Sequence, residues 1–372
     1  MSGTGDFNNR KRLSLVTQVI QKVHTEMNWL LLLSIFVSQW NEPCLASAED
    51  SVDIHGCNSY DVCLPGAEDI AVAPRSVTAS NTCGDPPSEY CQTSPPRSCF
   101  QCDSSSKSKR HPVDFMIDRS QGRSLNLTTW WQSQSWWEWF QIHKKDPLKV
   151  NVTLSFNKTY LITGQVQVTF KSQRPSKMIM EKSADFGHTW TPLQYFAKHC
   201  SHFNMNSSLS NCSLDGVLCT EKYSDEKQGP LYFSFLDCYT QTNFWETQTQ
   251  SLFIATNLRL RLEYPGTDGR ESIKEKTLNR YFYAISDIQV FGRCHCNGHA
   301  PNCHFKTKSN GEFINTPECM CKHSTDGIDC EKCKPLFNNK TWMPATSTKE
   351  PNPCESKSYL KALTKLTIYI YI

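Results

Sequence analysis

Nineteen cysteines in 372 residues can do one of two kinds of chemistry. As thiolates they would hold zinc, and as pairs they would build a disulfide framework; the redox compartment decides between the two. The last eight read C-x-C-x6-C-x15-C-x-C-x8-C-x2-C-x20-C, from Cys294 to Cys354. Cys330 and Cys333, with His295, His299 and His304 close in sequence, have a spacing that zinc could use. The N-terminus argues for the oxidising route. Residues 29–37, WLLLLSIFV, form an uncharged apolar run, well short of the roughly 20 residues a membrane-spanning helix needs. Arg10, Lys11, Arg12 and Lys22 precede it, and Ala46-Ser47-Ala48 supplies the small-x-small pattern that signal peptidase cuts. Residues 1–48 therefore read as a signal peptide region cleaved after Ala48. The chain is expected to be secreted, to have no direct membrane span, and to carry disulfides rather than zinc.

Cysteine arithmetic is consistent with that cut. Taking Cys44 from the 19 leaves 18, an even number, as full pairing requires. They fall into an early group (Cys57 to Cys102), a middle group (Cys200, Cys212, Cys219, Cys238) and the closing group, each even. Asn126, Asn151, Asn157, Asn206, Asn211 and Asn339 all begin N-x-[ST] sequons, the acceptors of N-glycans on secreted chains.

Catalytic patterns are missing. There is no GxSxG, no HExxH and no P-loop sequence. Asp185 and Glu181 are close in sequence but sit in a strand-turn region, where their spacing sets no general acid–base geometry. With every mature cysteine able to pair, no free thiol nucleophile is expected. The chain does not read as an enzyme. A net charge of +3, spread over 39 basic and 36 acidic residues, gives no basic groove for nucleic acid.

The elements that must position any binding surface are strands. Val150, Val152, Leu154 and Phe156 alternate with polar residues, as do Val166, Val168 and Phe170, then Leu258, Leu260 and Leu262, and finally Ile288 and Val290. Short regular strands without long amphipathic helices predict a mostly β fold, an antiparallel β-sandwich. The cluster Trp130, Trp131, Trp136, Trp137, Trp139 and Phe140 reads first as large rings filling that core; stacked Trp can also bind sugars. Residues 294–354 have too little hydrophobic pattern to hold themselves by core burial and depend on disulfides. No Gly/Ser or Pro linker separates Val290-Phe291-Gly292-Arg293 from Cys294, so the small module is expected to be held at a nearly fixed angle.

CHCNGHAPNC (294–303), CMCKHSTDGIDCEKC (319–333) and Cys354 resemble a laminin-type EGF-like module. That resemblance implies the pairs Cys294–Cys303, Cys296–Cys319, Cys321–Cys330 and Cys333–Cys354. TCGDPPSEYC (82–91), TTWWQSQSW (128–136), MIMEKSADFGHTW (178–190) and RYFYAISDIQVFGRC (280–294) resemble a laminin N-terminal domain, with details similar to the netrin-G branch of the netrin/laminin family. The expected organisation is a signal region 1–48, a laminin N-terminal domain of jelly-roll type over 49–293, the EGF-like module over 294–354 and an atypical tail over 355–372. The tail closes on LTIYIYI behind Lys361 and Lys365, which does not make a GPI signal.

The resemblance also implies sites. A structural calcium ion would take oxygens from Asp118, Thr129 and Ser286, residue types that suit a hard cation. A receptor ectodomain, of a leucine-rich-repeat membrane protein, would be met by loops near 67–79, 201–214 and 264–276, with Asn206, Tyr264, Arg270 and Glu271 as contacts. The function so implied is a secreted or cell-surface adhesion and guidance ligand of the nervous system. The alternative is a basement-membrane component that assembles with laminin-type matrix proteins through its N-terminal domain.

Overall fold

The strand that organises the molecule is β6 (Val150–Leu161), in which Val150, Val152, Leu154 and Phe156 point inward and are buried while Asn151 between them is exposed. A period of two is what a half-buried strand requires. Its neighbours repeat the device: β7 (Gln165–Phe170), β8 (Lys177–Ser183), β12 (Ile254–Tyr264) and β13 (Ala284–Cys294). With β9 (Thr191–Ala197), β10 (Leu218–Thr220) and β11 (Gly229–Ser234), they form a sheet of order β10-β9-β8-β12-β6-β13-β7-β11. Three short strands join it, β1 (Glu68–Asp69) and β5 (Trp131–Gln132) on β13 and β2 (Ser76–Ala79) on β6. This computed structural model describes residues 57, 61–72, 76–93, 98–119, 128–144, 146–208, 216–224, 228–234, 247–267, 274–307 and 313–356.

The sheet curls because β13 changes partner along its length. Ile285 to Val290 pair with β7, whereas Arg293 and Cys294 pair with Leu161 and Tyr160 of β6. Both halves then face one hydrophobic core that includes Leu154, Phe156, Val168, Phe170, Leu260 and Ile288. All but one of the sheet's pairings are antiparallel, the exception being β9 with β10. Among the described residues no helix is long and apolar enough to cross a membrane.

The fold is mostly β, as expected, with short helices between strands. α1 (Trp136–His143) runs through the Trp-rich stretch and starts in a capping box, with Ser135 and Glu138 satisfying each other's backbone N–H groups. The aromatic cluster therefore divides. Trp131 and Trp136 are buried in the core, whereas Trp137 is 37% exposed and stacks on Phe140. A second helix, α2 (Thr247–Phe253), leads into β12.

Disulfides hold the parts that the sheet does not. Cys57–Cys63, Cys83–Cys102, Cys91–Cys99 and Cys200–Cys219 brace the sheet-forming region. Cys91–Cys99 clasps the hairpin of β3 (Ser88–Cys91) and β4 (Cys99–Cys102). In the small module Cys294 pairs with Cys303, Cys296 with Cys319, Cys321 with Cys330 and Cys333 with Cys354. Its own strands are the short ladders β14 (Cys303–Thr307) with β15 (Phe313–Cys319) and β16 (Thr325–Asp326) with β17 (Lys332–Cys333). Cys212 and Cys238, the signal region and the tail beyond residue 356 lie outside the described residues.

Candidate functional site

Two of the three expected contact loops leave the sheet at the same end. Lys177, the first residue of β8, lies opposite Ala197 at the end of β9 and opposite Tyr264 at the end of β12. Beyond the strands the backbones stay joined: Lys198 N–H donates to Ser176 O at 2.9 Å, and Ser176 N–H donates to Tyr264 O at 3.0 Å. Ser176 Oγ donates to Pro265 O at 3.0 Å. The described feet of the loops after β9 and β12 therefore leave the sheet side by side, joined through Ser176.

The loop after β9 is stiffened from within. A 3-10 turn, Cys200–Phe203, ends at Asn204 in the left-handed conformation, which Asn tolerates better than most residues. The Cys200–Cys219 disulfide ties the turn to β10, and Glu221 Oε1 accepts from Cys200 N–H at 2.7 Å. Lys177 places its ammonium 4.4 Å from the centre of the Phe203 ring. Asn206 is exposed on this loop. Tyr264 is half-buried, its ring edge-on to Trp136 at 5.2 Å, and burial pushes its phenol pKa up. Arg270 and Glu271 lie outside the described residues.

The first window, 67–79, is not a loop at that end. Glu68 and Asp69 form β1 opposite Gly292 and Phe291, beside the start of the small module, and Ser76–Ala79 form β2 along the middle of β6. Glu68 and Tyr264 thus lie toward opposite ends of β6, since Arg293 pairs with Leu161 whereas Val150 pairs with Leu262. Pairing of these short polar segments depends on neighbours far away in sequence, which turn-rich composition does not reveal.

Of the expected calcium oxygens the structure brings two together. Thr129 Oγ1 donates to Asp118 Oδ2 at 2.8 Å, both side chains half-buried. Ser286 Oγ donates instead to Thr169 O at 3.2 Å, inside the β7–β13 ladder. A carboxylate beside a hydroxyl is the donor chemistry a hard cation takes. The neighbouring Arg119 spans Asp69 and Asp287, a bridge that ties β1 to β13; burial raises the Asp287 pKa, and Arg119 opposes that rise.

Other groups of ligand-type residues are already committed. Glu68 with Cys294 and Cys303, and Glu89 with Cys91 and Cys99, each contain a disulfide rather than thiolates. Glu181 is held by Arg259 at 2.6 Å and Arg261 at 3.1 Å. Asp185 closes its own turn, accepting from Ser183 Oγ at 2.7 Å and from Thr189 N–H at 2.9 Å; these bonds lower its pKa to about 2. Of the sequons, Asn151, Asn206 and Asn339 are exposed and Asn157 is half-buried with a positive φ of 54°. Asn126 and Asn211 lie outside the described residues.

A residue that motif reading passes over joins the two modules. Lys158 is buried on the inward face of β6 and forms an ion pair with Asp329 of the small module, its Nζ also donating to Ile328 O at 3.0 Å. Burial lowers its pKa, and the Asp329 carboxylate opposes that fall. The available signal was that position 158 continues the even-numbered buried alternation of Val150–Phe156.

The profile of the laminin N-terminal family (domain VI) matches residues 63–292. The chain belongs to that family. The laminin EGF domain profile follows at 294–354. Mouse (Mus musculus) Netrin-G1 is 36% identical over 313 residues, 77% of this chain and 55% of the relative. Human (Homo sapiens) Netrin-G2 is 34% identical over 78% of this chain and 56% of its own length. Human laminin subunit gamma-1 is 36% identical over 75% of this chain and 18% of its own. The chain thus spans about half the length of the netrin-G relatives it matches. In this laminin N-terminal head the paired loops after β9 and β12 are the candidate contact surface.

Proposed function

We propose that this protein is a secreted or cell-surface, netrin-like adhesion and guidance ligand, without enzymatic chemistry, that binds the ectodomain of a leucine-rich-repeat membrane protein. Directing axon guidance, neurite outgrowth or synapse organisation would follow from that contact. The observation that carries the reading is the pair of loops whose described feet leave one sheet end side by side, the one after β9 stiffened by its turn and its disulfide, in a chain 34–36% identical to netrin-G relatives. Loops presented on a rigid scaffold are where such specificity resides. Similarity to laminin gamma-1 supports a second reading, a matrix component assembling with laminin-type short arms through the head.

Biosensor binding of the full secreted chain to a panel of leucine-rich-repeat ectodomains, to laminin short arms and to itself separates the two. Capture by one repeat ectodomain alone supports the first reading; capture only by short arms replaces it with the second.

We also propose that Asp118 and Thr129 supply oxygens to a structural calcium ion, with Ser286 as a third candidate. Such an ion would stabilise the segment that leads into β5. Chelation should lower the melting temperature by several degrees, as loss of a bound native-state ligand does, and Asp118→Ala should abolish the response. An unchanged melting temperature in chelator removes calcium from the account.

A further inference from the structure

A cavity of about 580 Å³ opens beside β5, between the β3–β4 hairpin and the first residues of β13. Its size is that of small-ligand sites. Tyr90 forms one wall, edge-on to Phe282 at 5.2 Å and 5.9 Å from Phe100, which is 44% exposed at the cavity rim. On the other side Trp130 stacks on His111 at 4.4 Å and carries the Lys171 ammonium 5.6 Å from its centre. This contact places the ammonium at the cavity. Lys109 and Arg280 add two more cations, and no Asp or Glu belongs to the described lining. Among the described residues neither Lys171 nor Arg280 has an ion-pair partner.

The cavity floor adds an independent observation. Gln132 lines it and is 1% exposed; its Oε1 accepts from Trp130 Nε1 at 3.2 Å, but its Nε2 has no hydrogen-bond partner among the described residues. A buried amide N–H left unpaired is costly, so the site holds a donor matched to an absent acceptor. Gln92, Gln101, Gln173 and Gln228 line the same space. Amides offer both donors and acceptors, which suits a ligand rich in hydroxyls better than a bare anion. Aromatic faces, amides and unopposed cations together fit a ring that carries hydroxyls on its edge and one negative group.

We propose that this cavity binds an acidic sugar unit at the end of a glycan chain. Lys171 and Arg280 take its carboxylate or sulfate, Tyr90 and Phe100 take the apolar face of its ring, and Gln132 Nε2 donates to a ring hydroxyl or to the anion. Gly266, at the foot of the loop after β12, also lines the cavity, but the side chains assigned to the ligand lie outside the paired loops, and the proposal does not rest on the receptor reading.

Calorimetric titration of the full secreted chain at physiological salt tests it with three probes: sialyllactose, a sulfated heparin disaccharide, and lactose. One acidic probe should bind at least about tenfold more tightly than lactose, and which one it is tells whether the anion is carboxylate or sulfate. Lys171→Gln combined with Arg280→Gln should weaken that probe about tenfold or more with the melting temperature unchanged. Gln132→Leu should also weaken it, a response that diffuse surface attraction would not give. No binding of either acidic probe at millimolar concentration, equal binding of lactose, or acidic-probe binding indifferent to Gln132→Leu and to the double variant overturns the proposal.

Discussion

His299 sits in the small module between two partners, His323 Nδ1 at 3.1 Å from its Nδ1 and Met343 O at 3.1 Å from its Nε2. It is fully buried, and burial brings its pKa down to about 4. His111, beneath Trp130, is buried likewise and its pKa is also brought down to about 4. Both imidazoles regain the ordinary value near 6.5 on unfolding, so between those limits the unfolded chain binds more protons. Stability is then fully present above about pH 6.5 and is lost as pH falls toward 4, by on the order of 2 kcal/mol per histidine at pH 5. Denaturant titrations at pH 7 and pH 5 should show that loss, smaller in His299→Gln; equal free energies at the two pH values would sink the assignment. Asp185 behaves oppositely in position. Its lowered pKa of about 2 keeps its turn intact down to about pH 4 and releases it only as pH falls toward 2. Little of this was legible in sequence, because a histidine's burial is decided by what folds over it.

At the scale of elements, β6 explains why the strand pattern was readable and the junction was not. Alternation from Val150 to Phe156 reads directly as one buried face, and the structure buries that face. Beyond it the pairing breaks: Ser155 lies opposite Asn257 and Tyr160 opposite Ala255, so four residues of β6 face one of β12. Such a bulge re-aims side chains. Here it delivers Lys158 to Asp329 and Thr159 O to His295 N–H at 3.1 Å. A bulge depends on register with a strand a hundred residues away, which local alternation does not contain. The α1 helix was hidden for a different reason: Trp-rich composition suggests strand, and only Ser135 with Glu138 three residues on marks a helix start. Lys158→Ala should cost about 2 kcal/mol, because it leaves a partly buried carboxylate and a carbonyl without their cation. Chemical denaturation at pH 7 reads that loss directly, and a change within error of zero would show the junction to be held by the disulfides and core alone.

For the whole molecule, the family profiles meet at residues 292 and 294, yet the packing does not stop there. Cys294, Cys296, Ala300, Cys319 and Cys330 belong to the same hydrophobic core as the sheet. Cys63 N–H donates to Gly298 O at 3.0 Å, and its sulfur lies 3.6 Å from His323 Nε2, so the N-terminal end of the head also grips the module. The absence of a linker after Val290 made a fixed junction legible; the shared core was not, since half-cystines give no period to read. Under the proposed receptor reading, the two loops at the far end would act as one surface on this rigid scaffold. The most direct test is surface plasmon resonance of the full secreted chain against the repeat ectodomain that captures it. Negative charge introduced on the loop after β9, by Lys198→Glu with His202→Glu, is compared with Glu68→Lys beside β13. The loop variant should lose affinity about tenfold or more and Glu68→Lys none, with melting temperatures unchanged. Full affinity in the loop variant, with the loss falling on Glu68→Lys, would contradict it.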